Sequence, residues 1–564
     1  MKHLLLILLT FSFGFTPAYA TEKSPYGIAT ASSIATRVGS NIIQKGGNAF
    51  DAAVAISAAL AVVEPYSSGI GGGGFWLLHR NSDRHTVMID GRERAPLLAS
   101  RNMYLDKKGD FQKHLSIKGA LAGGIPGVPA ALVHIAEQYG KLPISDSLQA
   151  SIDLARNGFV IDEKYRLYAK LRLESLRANA EAARIFLHNN NVPPKNHVLK
   201  QTDLANTLET LAKNGRDGFY TGKVATQLVT GIRKGNGIWK LDDLAKYTIR
   251  ERQPISFTYK DLDIISAAPP SSGGIALAEI LGILENYKLN NMTAASRTHV
   301  IIEAMKRAYA DRAEFLGDPD FSNVPVKMLT GKKNINRWSK DITLQEATPS
   351  EFINTAPTPG GNGTDTTHFS VIDTEGNIVS ATLSINYPFG ACFVPPGTGV
   401  LINDEMDDFS AKPGVANAYG LVGGEANAIA PGKRPLSSMS PTIILGRGKA
   451  AALGTPGGSR IITMVLLAIL EYANGASAAD IVSKRRFHHQ YLPDHVMYED
   501  GAISSDTRKA LQDMGHKLKR KKSPYGGGRG SYGNMQIVIQ DRKHNTISAA
   551  SDPRGIGKEL VSVK

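Results

Sequence analysis

The sequence predicts a layered α/β protein with a joint at 365/366, on three observations. Residues 144 to 250 repeat Leu and Ala at helical spacing with few strand signals. From Thr366 onward the apolar period changes to two, the alternation of a β-strand. Between these regions, residues 354 to 364 are mostly Pro, Gly, Thr and Asn, the composition of an exposed stretch that is easily cut. A chain of 564 residues can bury a large core, and its 42% apolar and 21% charged residues exclude disordered and fibrous classes.

The elements follow in order. Met1-Lys2-His3 is a short basic start, Leu4 to Phe15 is apolar, and Ala18-Tyr19-Ala20 is a small-x-small cleavage pattern. Residues 1–20 therefore read as a secretory signal peptide, too short for a stable span. No later run reaches the ~18 apolar residues of a transmembrane helix. Residues 26 to 64 read as helices broken by Gly46-Gly47, with Asn48 placed to cap the second and Asp51 in its first turn. Gly69, Gly71 and Gly74 satisfy G-x-G-x-x-G, but a helix precedes them and the strand-like Phe75 to Leu78 follows. A dinucleotide loop needs the opposite order, so that reading is rejected. Ser296 to Phe315 reads as a long amphipathic helix ended by Gly317-Asp318-Pro319. Thr366 to Asp373 and Ile378 to Asn386 read as a hairpin around Thr374-Glu375-Gly376-Asn377. Further strands are expected at Thr442 to Leu445, Ala450 to Gly454, Met535 to Gln540 and Thr546 to Ala550.

Composition also bounds partners. The net charge of +14 comes from scattered basic residues; the one dense run, Lys519-Arg520-Lys521-Lys522, has no interleaved aromatics. It reads as a solvated face, and no nucleic-acid partner is expected. The only cysteine is Cys392, so no internal disulfide is expected in this exported chain. His488-His489 has no partner at zinc spacing, and neither a metal nor a cofactor is expected.

Chemistry concentrates at Thr364-Asp365-Thr366-Thr367-His368. A threonine freed at a strand start carries a hydroxyl nucleophile and its own α-amine. That amine titrates at about 8 and can act as general base for the hydroxyl. Thr455-Pro456-Gly457-Gly458-Ser459-Arg460 lies between a strand and the helix-like Ile461 to Tyr472. Glycines at such a turn can aim two backbone N–H groups at one developing oxyanion.

With these and other stretches, the chain resembles the γ-glutamyltransferases (γ-glutamyl transpeptidases) of the N-terminal-nucleophile hydrolase superfamily. The matching segments before the joint are Gly46-Gly47-Asn48-Ala49, Gly71 to Phe75, Gly91-Arg92-Glu93, Pro270 to Gly274 and Leu316 to Pro319. After it come Thr366-Thr367-His368, Met406 to Phe409, Arg434 to Thr442, Pro456 to Arg460 and Ser551 to Arg554. The resemblance implies a four-layer αββα sandwich, formed jointly by two subunits cut from one precursor between Asp365 and Thr366. Residues 21–365 would be the large subunit and 366–564 the small, catalytic one, associated as a heterodimer. It implies Thr366 as nucleophile, Thr367 as the group orienting its amine, and Gly457 and Gly458 as oxyanion donors. The expected substrates are glutathione and other γ-glutamyl compounds, with water, an amino acid or a dipeptide as acceptor.

The recognition residues make independent sense. A γ-glutamyl group carries an α-carboxylate and an α-ammonium. Arg92 can grip the carboxylate bidentately, helped by the Ser437 and Ser438 hydroxyls, while Asn386, Glu405 and Asp408 offer acceptors to the ammonium. Several relatives carry threonine where this chain has Ser384; serine keeps the hydroxyl for a bond to Asn386 or the nucleophile. Residues 410 to 427 resemble a lid loop with Tyr419 as its aromatic, and a passive surface loop fits them as well. A glutaryl- or cephalosporin-type acylase is the rival enzyme. Its substrate lacks the ammonium and would leave Glu405 and Asp408 unpaired at a cost. A binding scaffold is the rival of another class, and it would have no need of Thr366 or the glycine pair. The signal suits a bacterial periplasm, with outright secretion left open, and no membrane anchor remains once it is removed.

Overall fold

A computed structural model describes residues 24–353, 366–417, 419–520 and 532–562. The signal peptide, the joint with Asp365, and Lys521-Lys522 lie outside the described residues. Thirteen strands make two sheets. Before the joint they are β1 (Gly27–Thr30), β2 (Gly73–Arg80), β3 (His85–Asp90), β4 (Arg250–Arg252), β5 (Ile255–Tyr259) and β6 (Leu262–Ser266). After it come β7 (Thr367–Ile372), β8 (Ile378–Ser384), β9 (Thr442–Gly446), β10 (Lys449–Gly454), β11 (Gln536–Asp541), β12 (Thr546–Ser551) and β13 (Lys558–Val561). The first sheet runs β13-β1-β7-β8-β2-β3-β4 and the second β12-β11-β10-β9-β6-β5, antiparallel throughout.

Helices α1 (Ser33–Gln44) and α2 (Ala49–Val63) cover the outer face of the first sheet. Helices α3 (Gly273–Glu285), α4 (Ala294–Phe315) and α5 (Ile461–Ala473) lie on the far side of the second. The four layers are those expected of an N-terminal-nucleophile hydrolase. The start of α2 shows why its sequence folds so. Asn48 Oδ1 accepts from the N–H groups of Phe50 and Asp51, and Asp51 accepts from the Asn48 N–H, a reciprocal cap. Every residue of α2 is buried, which its small side chains permit.

Three expectations are refined. Gly27–Thr30, inside the stretch read as helical, is a strand held between β7 and β13; pairing with distant strands overrides local propensity there. The helix read as amphipathic from Ser296 to Phe315 is α4, and it is buried on all faces from His299 to Ala313. Its polar side chains pair internally: Glu303 meets Lys306 at 2.8 Å and Arg307 at 2.6 Å, and Trp338 Nε1 donates to Asp311 at 2.8 Å. Finally, β7 and β8 are buried on both faces. Phe369, Val371, Val379, Ala381 and Leu383 join the core shared with α1 and α2. The polar positions face the second sheet instead: Ser370 Oγ donates to Gln536 O at 3.1 Å and Ser380 Oγ to Leu453 O at 3.0 Å. The period of two thus sorts an apolar interlayer from a hydrogen-bonded one.

Candidate active site

The register of β7 and β8 sets the nucleophile's place. Leu383 pairs with Thr367, so Thr366, just ahead of β7, stands beside Ser384 at the end of β8. Thr366 Oγ1 lies 3.4 Å from Ser384 Oγ, and Ser384 Oγ accepts from the Asn386 N–H at 2.8 Å. Ser384 thus touches both Thr366 and the Asn386 backbone. Asn386 sits in the left-handed region at φ +72° and is held by Nδ2 donating to Asp404 O at 2.9 Å.

The glycine run before β2 lets the loop after β8 approach this corner. A Cβ on Gly71 would fall 2.1 Å from Leu401 O, and one on Gly72 2.2 Å from Ser384 O. Asn403 Nδ2 clamps the same contact, donating to Gly71 O at 2.7 Å and Gly124 O at 2.8 Å. The loop then makes a tight helical turn, Glu405–Asp408, which presents two carboxylates to Arg92.

Arg92 is 1% exposed. Its Nη2 meets Asp408 Oδ2 at 2.5 Å, its Nη1 meets Glu405 Oε1 at 3.0 Å and Glu93 Oε2 at 3.4 Å, and its Nε donates to Pro435 O at 3.3 Å. Burial works against its charge, but Glu405, Glu93 and Asp408 together raise its pKa. Burial raises the Glu405 carboxyl well above the usual range, with Arg92 opposing. Neither Glu405 oxygen makes a hydrogen bond among the described residues, although one lies within ion-pair distance of Arg92. Such buried acceptors favour an incoming donor.

The Ser437-Ser438 segment is fastened to the Pro270-Ser271-Ser272-Gly273-Gly274 turn. Ser437 N donates to Pro270 O at 2.8 Å and Ser272 N to Ser437 O at 2.8 Å. Asp318, from the motif after α4, accepts from the Arg434 N–H at 2.8 Å and steadies the segment's start. Gly457 and Gly458 adopt φ +146° and +58°, positions that a side chain would strain. Neither N–H donates to another described residue.

Tyr419 lines the pocket beside the glycine turn. A Cβ on Gly458 would lie 2.2 Å from its ring, and its hydroxyl donates to Asn386 O at 2.9 Å. Gln490 Nε2 holds the next backbone carbonyl, Gly420 O, at 3.0 Å.

One pocket collects these groups. Of the residues read from sequence, Arg92, Thr366, Ser384, Asn386, Glu405 and Asp408 line it, as do Tyr419, Ser437, Ser438 and Gly458. Thr367 and Gly457 are not among its lining residues; the Thr367 hydroxyl donates to Glu64 Oε2 at 2.8 Å. Asp365 lies outside the described residues. Arg312, Ser459 and the apolar Leu421, Leu436, Met439 and Ile461 line the pocket as well. Ser459 belongs to the glycine motif and Leu436 to the serine motif, so both were within reach of the sequence. Arg312 was hidden in a helix read as amphipathic, where a cation is ordinarily solvated.

Comparison with known proteins bears on the chain as a whole. A family model described as Gamma-glutamyltranspeptidase matches residues 35–562. The chain is 41% identical to a glutathione hydrolase proenzyme of Escherichia coli over 534 residues, covering 94% of this chain and 90% of that protein. It is 39% identical to one from Pseudomonas aeruginosa, covering 96% of each. Among solved structures it is similar to Helicobacter pylori gamma-glutamyltranspeptidase, at 37% identity and a TM-score of 0.56 over 57% of this chain and 93% of that one. Its fold matches a cephalosporin acylase from Bacillus halodurans, with a TM-score of 0.84, 24% identity, and 98% and 99% coverage.

Proposed function

The chain belongs to the gamma-glutamyltranspeptidase family, and from that premise we propose a γ-glutamyltransferase and glutathione hydrolase that matures by its own cleavage before Thr366. The observation that carries the reading is the pocket's two ends. The Thr366 hydroxyl stands at one, and at the other lie an arginine and two carboxylates suited to an α-amino acid head group.

Maturation begins with Thr366 Oγ1 adding to the carbonyl of Asp365. The peptide nitrogen leaves with the hydroxyl proton, giving an ester, and water opens that ester to a carboxylate on Asp365 and a free Thr366. The products are residues 21–365, once the signal 1–20 is removed, and residues 366–564. In turnover the Thr366 amine takes the hydroxyl proton as Oγ1 attacks the γ-carbonyl of glutathione or a related donor. The N–H groups of Gly457 and Gly458 stabilise the oxyanion. The amide nitrogen leaves protonated, and a γ-glutamyl ester remains on Thr366. Water, an amino acid or a dipeptide then adds to the ester carbonyl and restores Thr366. Ser384 orients the nucleophile through its 3.4 Å contact, and Thr367, whose hydroxyl donates to Glu64, orients the Thr366 amine. Arg92, Ser437 and Ser438 receive the donor's carboxylate; Asn386, Glu405 and Asp408 receive its ammonium. Tyr419, packed on the Cα side of Gly458, is the lid aromatic of this reading, with 410–427 as its loop.

Among the described residues no helix is long and apolar enough to cross a membrane. Export to the periplasm follows in this reading from the signal peptide.

Intact masses and N-termini of the purified protein test the reading first. Two chains, the second starting at Thr366, are expected, with turnover of a chromogenic γ-glutamyl amide. An uncut chain without turnover overturns it, and turnover of glutaryl but not γ-glutamyl amides favours the acylase.

A further inference from the structure

Arg312, on α4, is 4% exposed and lines the pocket. Its situation is the reverse of that of Arg92. No ion pair with any described carboxylate reaches it, whereas Arg92 is met by three. Instead, Arg312 Nε donates to Ser272 Oγ at 3.0 Å and Nη2 to Ser438 Oγ at 3.3 Å.

An arginine can only donate, so at this contact the Ser438 oxygen is the acceptor and its own proton must point elsewhere. Ser437 is in the same position, because its Oγ accepts from the Met439 N–H at 3.1 Å. Neither hydroxyl donates to another described residue. Both protons are left for the pocket. Ser272 extends the arrangement: its Oγ donates to Ser437 O at 2.8 Å, so one guanidinium fixes one serine directly and the other through its backbone.

Resting on the γ-glutamyl reading, we propose that Arg312 is a positioning residue for the donor's α-carboxylate. It turns Ser438 into an outward donor and supplies a pocket cation that no described carboxylate contacts. Arg92 alone would present a site whose charge is largely answered by Glu405 and Asp408. With Arg312 beneath the serines, an entering carboxylate meets two hydroxyl protons and an unmatched positive charge. Loss of a charge-assisted hydrogen bond of this kind corresponds to about a tenfold to hundredfold loss of affinity.

The test compares wild type with Arg312→Gln, Arg312→Lys and Ser438→Ala, each first shown by mass to carry a Thr366 N-terminus. KM for a γ-glutamyl anilide is expected to rise about tenfold to a hundredfold in Arg312→Gln while kcat changes far less. Arg312→Lys, which keeps the charge but not the two-point grip, should fall between. Calorimetric binding of L-glutamate should weaken in parallel, whereas binding of 4-aminobutyrate, which lacks the α-carboxylate, should not change between variants. The effect of Arg312→Gln should also be smaller in a Ser438→Ala background, since the two share one interaction. Loss of kcat at constant KM, or equal weakening of both ligands, overturns the proposal. If Arg312→Gln fails to fold, Arg312→Lys and Ser438→Ala decide by the same two-ligand comparison. A wild type that binds L-glutamate but leaves the anilide intact would sink the enzymatic reading and spare this one.

Discussion

At its Thr366 end the pocket is made of neutral groups: two hydroxyls 3.4 Å apart, an asparagine N–H and a glycine turn under a tyrosine ring. At its Arg92 end, four ionisable groups crowd into a largely buried corner, with a second arginine behind the serines. In the function proposed above, the difference follows from what each end must do. A threonine that brings its own amine needs no neighbouring charge to become a nucleophile, and a nearby carboxylate would oppose the oxyanion. A zwitterionic head group, in contrast, must be drawn out of water, which only fixed opposite charges accomplish. Arg92 is answered by Glu93, Glu405 and Asp408, whereas Arg312 is held by serine hydroxyls alone.

The contrast can be broken in four ways, beginning with the largest effect. Thr366→Ala should leave one uncut chain and abolish turnover, read by denaturing gel and anilide assay; two chains from this variant would remove the neutral end from the chemistry. Asp408→Asn should raise KM for γ-glutamyl donors about tenfold to a hundredfold with a smaller change in kcat, because it deletes a charge that the ammonium uses. A fall in kcat alone would mean that the charged end also serves catalysis. Ser384→Ala should slow both self-cleavage and kcat by about threefold to tenfold, the scale of one neutral hydrogen bond, while leaving KM nearly constant.

The smallest effect concerns pH. Burial raises the Glu93 carboxyl above the usual carboxylate range, against the pull of Arg92. A carboxyl raised on folding keeps a proton that the unfolded chain has already released. Its contribution is therefore full below the unfolded value of about 4.3 and is lost as the pH rises through the folded value. Glu93→Gln should flatten the decline in denaturant midpoint with rising pH over that window. An unchanged slope would show that Glu93 is ionised throughout in the folded protein.

Much of the site was legible because its residues sit in short motifs whose spacing is dictated by turns. Gly71 and Gly72 are forced by approaching carbonyls, and Gly457 and Gly458 by their dihedral angles, so each marks its place in the chain. Asn48 and Asp51 announced their helix because both halves of the cap are local. The pairing of Arg92 with its own pocket's carboxylates was not legible, since Glu405 and Asp408 reach it across more than three hundred residues of chain. Arg312 escaped for a related reason: a cation on a helix reads as solvated unless the helix is known to be covered on every side. The strand at Gly27–Thr30 was missed because its only reason to be extended is the pair of distant strands that flank it.

The order of strands in the first sheet carries a last consequence. Starting from its edge, β13 comes from beyond the joint, β1 from before it, β7 and β8 from beyond it again, and β2 to β4 from before it. In the second sheet β9 to β12 come from beyond the joint and β5 and β6 from before it. Severing the chain between residues 353 and 366 would thus leave two interleaved pieces, not two bodies pressed together. Separating them means breaking backbone ladders in both sheets, so dilution should not dissociate the pair short of denaturation. Mixing independently produced halves should likewise fail where co-translation as a single precursor succeeds. The bond ahead of Thr366 is, on this view, an assembly aid that is discarded once the weave is made.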